Sequence, residues 1–228
     1  MPAGKQSRGT CSFCGHETTK GSIHRHLKSC PKRQEQITAA EQSQQDSEDL
    51  YHLRVYDKEA TQFWLDLEVR GQAKLKDLDS YLRAIWLECC GHLSRFSLDG
   101  WGSDEIAMNR RVAQVFNEGI TIHHIYDFGT SSETLLQYIG KRQGKALSKK
   151  PIYLMARNIL PEVQCMECDQ PATYLCMECF YESPDVYGEL CKKHAKTHPH
   201  DNYGDPMPIV NSPRVGMCGY EGPANPPY

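Results

Sequence analysis

The chain has 228 residues, 39% hydrophobic and 24% charged, with a formal net charge of −3 at pH 7. It lacks any apolar run near the roughly 18 residues that a membrane-crossing helix needs. Its near-neutral charge excludes a uniformly basic nucleic-acid coat. The polar start, Met1 to Thr10, has no apolar leader core, so a cytoplasmic location is expected. The composition departs from the ordinary in its 11 cysteines and 10 histidines. An odd cysteine count without a leader argues against a disulfide framework, and Cys-x2-Cys pairs followed by histidines argue for zinc. Two thiolates three positions apart on a tight turn can both reach one ion at about 2.3 Å.

Taken from the N-terminus, residues 1–10 read as a disordered arm and residues 11–30 as a C2HC zinc finger. Cys11 and Cys14 form the knuckle, and His26 and Cys30, four apart, share one face of a short helix over Gly21–Cys30 that Pro31 ends. Ile23, Leu27 and Phe13 supply a small core. His24 competes with His26, but it points elsewhere on a helix. Residues 31–48 are rich in Gln, Ser and Glu and read as a polar linker or a weak polar helix.

The body spans 49–160. Tyr51, Leu53 and Val55 alternate, as do Phe63, Leu65, Leu67 and Val69, which predicts two half-buried strands. Leu75, Leu78, Leu82, Ile85, Trp86 and Cys89 follow a helical period and predict an amphipathic helix over 74–90. Cys89 and Cys90, at its apolar end, read as packed, inert thiols. Strands follow over 93–98, 120–128, 134–140 and 152–157, with a loop at 100–103 and a short helix over 108–116. This order implies an α+β fold, a mixed sheet with one main crossing helix and a β-grasp-like opening.

The remainder, 161–228, holds a denser cluster. Cys165 and Cys168, Cys176 and Cys179, Cys191 and His194, and His198 and His200 form four ligand pairs, enough for two tetrahedral ions. Interleaved pairing joins the first pair to the third and the second to the fourth, and resembles the cross-brace of B-box and RING-type modules. Sequential pairing is the other choice. Cys218, in a Gly/Pro-rich tail, reads as a packed thiol or a substitute for one of the histidines. Closed four-ligand sites leave no position for a reacting water, so about three zinc ions per chain would be structural.

The body's motifs FWLDLEV (63–69), LKDLDSYLRAIWLECCGHLSRF (75–96) and IYDFG (125–129), with Glu133-Thr134-Leu135, resemble the Ri-plasmid ORF-three-like family, also described as TnpR-like insertion-element passenger proteins. The tail NSPRVGMCGYEG, residues 211–222, resembles a C-terminal motif of the zinc-bearing members. The resemblance implies a small α+β domain associated with plasmids and mobile elements, and no particular reaction. In that family position 200 is often cysteine; His200 preserves ligand character.

Two functions compete. In the first, the protein is a non-enzymatic, zinc-stabilised binding or adaptor protein. It would contact a protein partner, or nucleic acid through the finger and the acid-free stretch containing Lys141, Arg142, Lys145, Lys149, Lys150 and Arg157. In the second, His123 and Asp127, four apart on one strand, hold a metal and serve a nuclease or hydrolase. The chain has no P-loop, no G-x-S-x-G, no H-E-x-x-H and no zinc-deaminase signature.

Overall fold

The structure is a computed structural model that describes residues 7–182, 187–200 and 202–228. Its centre is a nine-stranded sheet. In chain order the strands are β1 (Arg8–Cys11), β2 (Glu17–Thr19), β3 (Glu48–Asp57), β4 (Trp64–Arg70), β5 (Ser94–Ser97), β6 (Glu105–Ile106), β7 (Thr121–Tyr126), β8 (Ser132–Gly144) and β9 (Ile152–Asn158). They lie in the order β2-β1-β9-β4-β3-β8-β7-β5-β6. Among the described residues every pairing in this sheet is antiparallel, which corrects the expected mixed sheet. The reason is connectivity: β3 turns directly into β4 and β7 into β8. The helix after β4 leads to a strand at the far side of the sheet, so no crossover places two strands side by side in parallel.

Strand β4 explains how the body holds together. Its alternation WLDLEV sends Leu65, Leu67 and Val69 into the main core with Leu53, Val55, Leu82, Ile85 and Trp86. Trp64 lies in a second apolar cluster with Ile23, Leu27 and Met155. The sequence reading made β4 half-buried, yet Trp64 through Val69 are all buried, because each face of the strand is covered. Two carboxylates are buried with it and are matched by cations. Asp66 accepts from Arg54 at 2.9 Å and meets His52 at 2.5 Å. Glu68 is gripped by both guanidinium arms of Arg142, at 2.9 and 2.7 Å, and by Arg33 at 3.3 Å. A buried carboxylate needs such partners to remain charged.

Helix α1 (Lys20–Ser29) and α2 (Pro31–Glu41) follow β2. Cys30 between them is extended, and Pro31 opens α2, where its missing N–H costs nothing. Of the two readings of 31–48, linker or weak polar helix, the helix holds over Pro31–Glu41. Its hold is tertiary: Arg33 reaches Leu27's carbonyl and Glu68, and the Lys145 ammonium donates to Glu41's carbonyl. The arm expected over 1–10 is partly strand, since Arg8–Cys11 pairs with β9; residues 1–6 lie outside the described residues. The finger is therefore joined to the body. A Cβ on Gly9 would sit 2.3 Å from the Trp64 ring and 2.4 Å from the Arg157 carbonyl, so only glycine lets β1 come this close.

Helix α3 (Leu75–Leu82) runs into a π-helical turn over Arg83–Leu87 instead of continuing to residue 90. A shorter helix, α4 (Val112–Val115), precedes β7. Beyond β9 a three-stranded antiparallel sheet of β10 (Tyr174–Leu175), β11 (Glu189–Leu190) and β12 (Met207–Pro208) carries helix α5 (Met177–Glu182). No described helix is long and apolar enough to cross a membrane.

The C-terminal tail returns to the body. Arg157 donates to the carbonyls of Asn211 and Ala224, and the Asn158 and Asn211 side chains bond at 2.7 Å. The Ser212 hydroxyl donates to the Trp86 carbonyl. Arg214 is completely buried, with bonds to Asp127, Ser132 and the Thr130 carbonyl at 2.7–2.9 Å.

Candidate metal centres

Each Cys-x2-Cys or Cys-x2-His turn is closed by a backbone bond to its first cysteine's carbonyl: Gly15 to Cys11, Cys168 to Cys165, Phe180 to Cys176 and Ala195 to Cys191. This local turn aims both ligand side chains the same way. These turns contribute to three groups of ligand atoms, and a fourth group forms without one; among the described residues each group has all its ligand atoms within 4.8 Å of one another. All 11 cysteines are free thiols. Four ligands around one zinc ion would stand about 3.8 Å apart between sulfurs and about 3.5 Å between sulfur and nitrogen.

The first group is Cys11, Cys14, His26 and Cys30. Cys11 and Cys30 Sγ are 4.0 Å apart, and Cys14 Sγ is 3.3 Å from His26 Nε2. His24 is not part of it; its ring lies edge-on to His52 on the sheet. Burial pushes the Cys11 thiol up to about 12.

The second group joins Cys165, Cys168, Cys191 and His194, and the third joins Cys176, Cys179, His198 and His200. The geometry therefore interleaves the four pairs. In the second group Cys165 Sγ is 3.3 Å from His194 Nδ1, and Cys168 and Cys191 Sγ are 3.9 Å apart. Burial alone would raise the Cys165 thiol, but backbone bonds at Cys191 and Glu167 and the His194 ring overcome it, bringing the group down to about 6. In the third group Cys179 Sγ is 3.3 Å from His198 Nε2 and 3.1 Å from His200 Nδ1. Glu167 links the two centres. It belongs to the Cys165–Cys168 knuckle, and its carboxylate lies 3.0 Å from His198 Nδ1. Nδ1–H donating there leaves the Nε2 lone pair facing the sulfurs.

A fourth group was missed in the sequence: Cys89, Cys90, His92 and Cys218. The packed-thiol reading is corrected for Cys90 and Cys218, which are exposed, while Cys89 is half-buried and packs against the main core. Cys218 does not replace a histidine of the two-centre module. The π-helical turn ends α3 early, and in the loop beyond it Cys89 packs against the core while Cys90 faces solvent. A C-C-x-H run has no ligand spacing of the familiar kind, and its fourth member lies 126 residues beyond His92.

The other candidate residues are dispersed. His123 Nδ1 meets Glu133 at 2.5 Å, while Asp127 pairs with Arg214 at 2.7 Å and donates no partner to His123. Asp127 lies beyond the strand with φ +66°, so the shared face expected from four-residue spacing does not exist. The basic stretch is also divided. Lys141 pairs with Asp49, Arg142 with Glu68, Lys145 with the Glu41 and Ser43 carbonyls, and Arg157 with the tail. Lys149 and Lys150 are exposed, with Lys150 4.9 Å from the Tyr228 ring centre.

Neither a family model nor a curated protein matches the chain, so the mobile-element resemblance gains no support. Among solved structures, the chain is similar to a protein of unknown function from Methanosarcina mazei Go1. The two share 17% identity, with a TM-score of 0.40 over 48% of this chain and 67% of that one.

Proposed function

We propose that this protein is a non-enzymatic binding protein whose finger and C-terminal module are stapled by zinc. The observation that supports this is the closure of the ligand groups at 11–30 and 165–200. Each offers four protein ligands, so a bound ion would have no open position for a substrate or a nucleophilic water. Zinc suits these mixed sulfur and imidazole donors in tetrahedral array. The proposed count for these groups is three.

The surface favours a protein partner. Leu98, Trp101 and Phe128 are exposed near one edge of the sheet, and the Trp101 and Phe128 rings meet edge-on at 5.0 Å. Most cations of the 141–157 stretch already have partners within the chain, which argues against a phosphate-tracking strip. The association with plasmids or mobile elements rests on the resemblance of the body motifs alone.

The test combines elemental analysis with DNA and RNA incubations, with and without Mg²⁺. At least three zinc ions per chain and intact nucleic acid are expected. Cleaved product would overturn the non-enzymatic reading. A retarded band abolished by Lys149→Glu with Lys150→Glu would restore the basic strip as the contact surface.

A further inference from the structure

We infer that Cys89, Cys90, His92 and Cys218 form a fourth zinc-class metal site, exposed to solvent, that clasps the C-terminal tail to the sheet body. The separations fit one tetrahedral ion. Cys90 Sγ lies 3.7 Å from both Cys89 Sγ and Cys218 Sγ, and His92 Nε2 lies 2.9 Å from Cys90 Sγ and 3.4 Å from Cys218 Sγ. Three thiolates and one imidazole make a soft donor set suited to zinc over magnesium or calcium.

Both halves of the site are held by the body before any ion arrives. On one side, Glu88 accepts from Arg83 at 2.5 Å, from the Gly91 N–H at 2.6 Å and from the Tyr126 hydroxyl at 3.1 Å. Those bonds set the turn over Glu88–His92. Gly91 has φ +80°, which folds His92 back onto Cys90. On the other side, the buried Arg214 anchors the tail to Asp127. Cys218 itself sits at φ +50°, a left-handed conformation uncommon for a non-glycine residue and one that calls for local support.

A hydrogen-bond partner for one of the sulfurs is also in place. Arg214 Nη2 donates to Cys89 Sγ at 3.5 Å from the protein side, the position of an outer partner that orients a ligand.

This site differs from the other three in its architecture. The others are assembled from ligands between 11 and 30 or between 165 and 200. Here the ligands come from the loop after the π-helical turn and from the tail, so the ion would close a long loop between distant parts of the chain. Exposure of Cys90 and Cys218 makes it the first of the four to give up its metal.

The full-length protein, prepared without chelator, should carry four zinc ions per chain. A Cys90→Ser, Cys218→Ser double variant should carry three, with an unchanged far-UV spectrum. Alkylation followed by peptide mass mapping gives the second readout. Cys90 and Cys218 should resist alkylation in the zinc-loaded protein despite their exposure, and should react first as chelator is added. Equal zinc counts in the two proteins, immediate alkylation of both residues, or a Cys90–Cys218 disulfide would each overturn the fourth site. A count of three in the wild type would do so while leaving the three-zinc reading intact.

Discussion

The sheet body and the 165–200 module reach stability by opposite means. The body buries Leu53, Leu67, Leu82, Trp86 and their neighbours in one continuous apolar cluster. The module's buried cluster consists of Cys165, Cys176, Cys179 and Cys191 around a single leucine, Leu190. Burial of large side chains contributes roughly 1.5–3 kcal/mol each, and the module has too few of them to offset the ordering of its backbone. The finger lies between these extremes, since Ile23 and Leu27 borrow Trp64 and Met155 from the sheet. On the proposed reading, metal cohesion substitutes where apolar surface is scarce.

That contrast breaks most sharply under chelation. Each of the proposed zinc ions would contribute on the order of 10 kcal/mol to folding. Strong chelator should therefore abolish amide-exchange protection across 165–200 while β3, β4 and β8 remain protected. Uniform loss, or none, across both regions would contradict the division. Cys176→Ser should have a narrower effect, releasing one zinc equivalent and loosening the segments around Cys176–Cys179 and His198–His200.

The reverse perturbation targets the body. Leu67→Ala should cost about 3 kcal/mol of global stability by leaving a cavity, read as a lower denaturant midpoint, with zinc content unchanged. Asp66→Asn should cost a comparable amount, about 3 kcal/mol, because Arg54 would lose its buried counter-charge and His52 its carboxylate partner. It also sharpens the pH response. Burial works to raise the Asp66 carboxyl, yet His52 and Arg54 prevail and hold it below the usual carboxylate range. Its contribution is thus fully present above about pH 4, the unfolded value, and is lost as pH falls through the lower folded value. The variant should show a flatter acid limb in denaturant titrations; an unchanged limb would mean that Asp66 is not ionised in the fold.

The smallest effect is expected from Glu167→Gln. Weakening the bond to His198 Nδ1 should lower zinc affinity at the third group by about 10–100-fold, measured by competition with a graded chelator, with the body unaffected. Equal affinity would mean that Glu167 is a bystander.

Local chemistry was legible in the sequence. The strands around Leu53, Leu67, Ile122 and Met155, and the helix beginning near Leu75, follow from periodicity over a few residues. The knuckle turns follow from spacing. What spacing left undecided was everything joined across long separations. Antiparallel neighbours cannot be read from alternation, because each strand looks the same whichever partner it takes. The polar α2 has no apolar stripe to announce it; Arg33 and Glu41 hold it through bonds to the sheet. The basic stretch was legible as charge but not as pairing, since Glu68 and Asp49 lie far away in the chain.

By itself, then, the sequence determined which residues make strands and which make the paired Cys/His turns, because those depend on side-chain period and on contacts within a few positions. Only the tertiary structure decided that β1 extends the body's sheet, that the ligand pairs interleave, and that Arg214 enters the core beside Asp127. The same folding carries Cys218 to Cys90. These are matters of which surfaces meet once the chain is compact, and that choice depends on the shape and charge of many residues acting together.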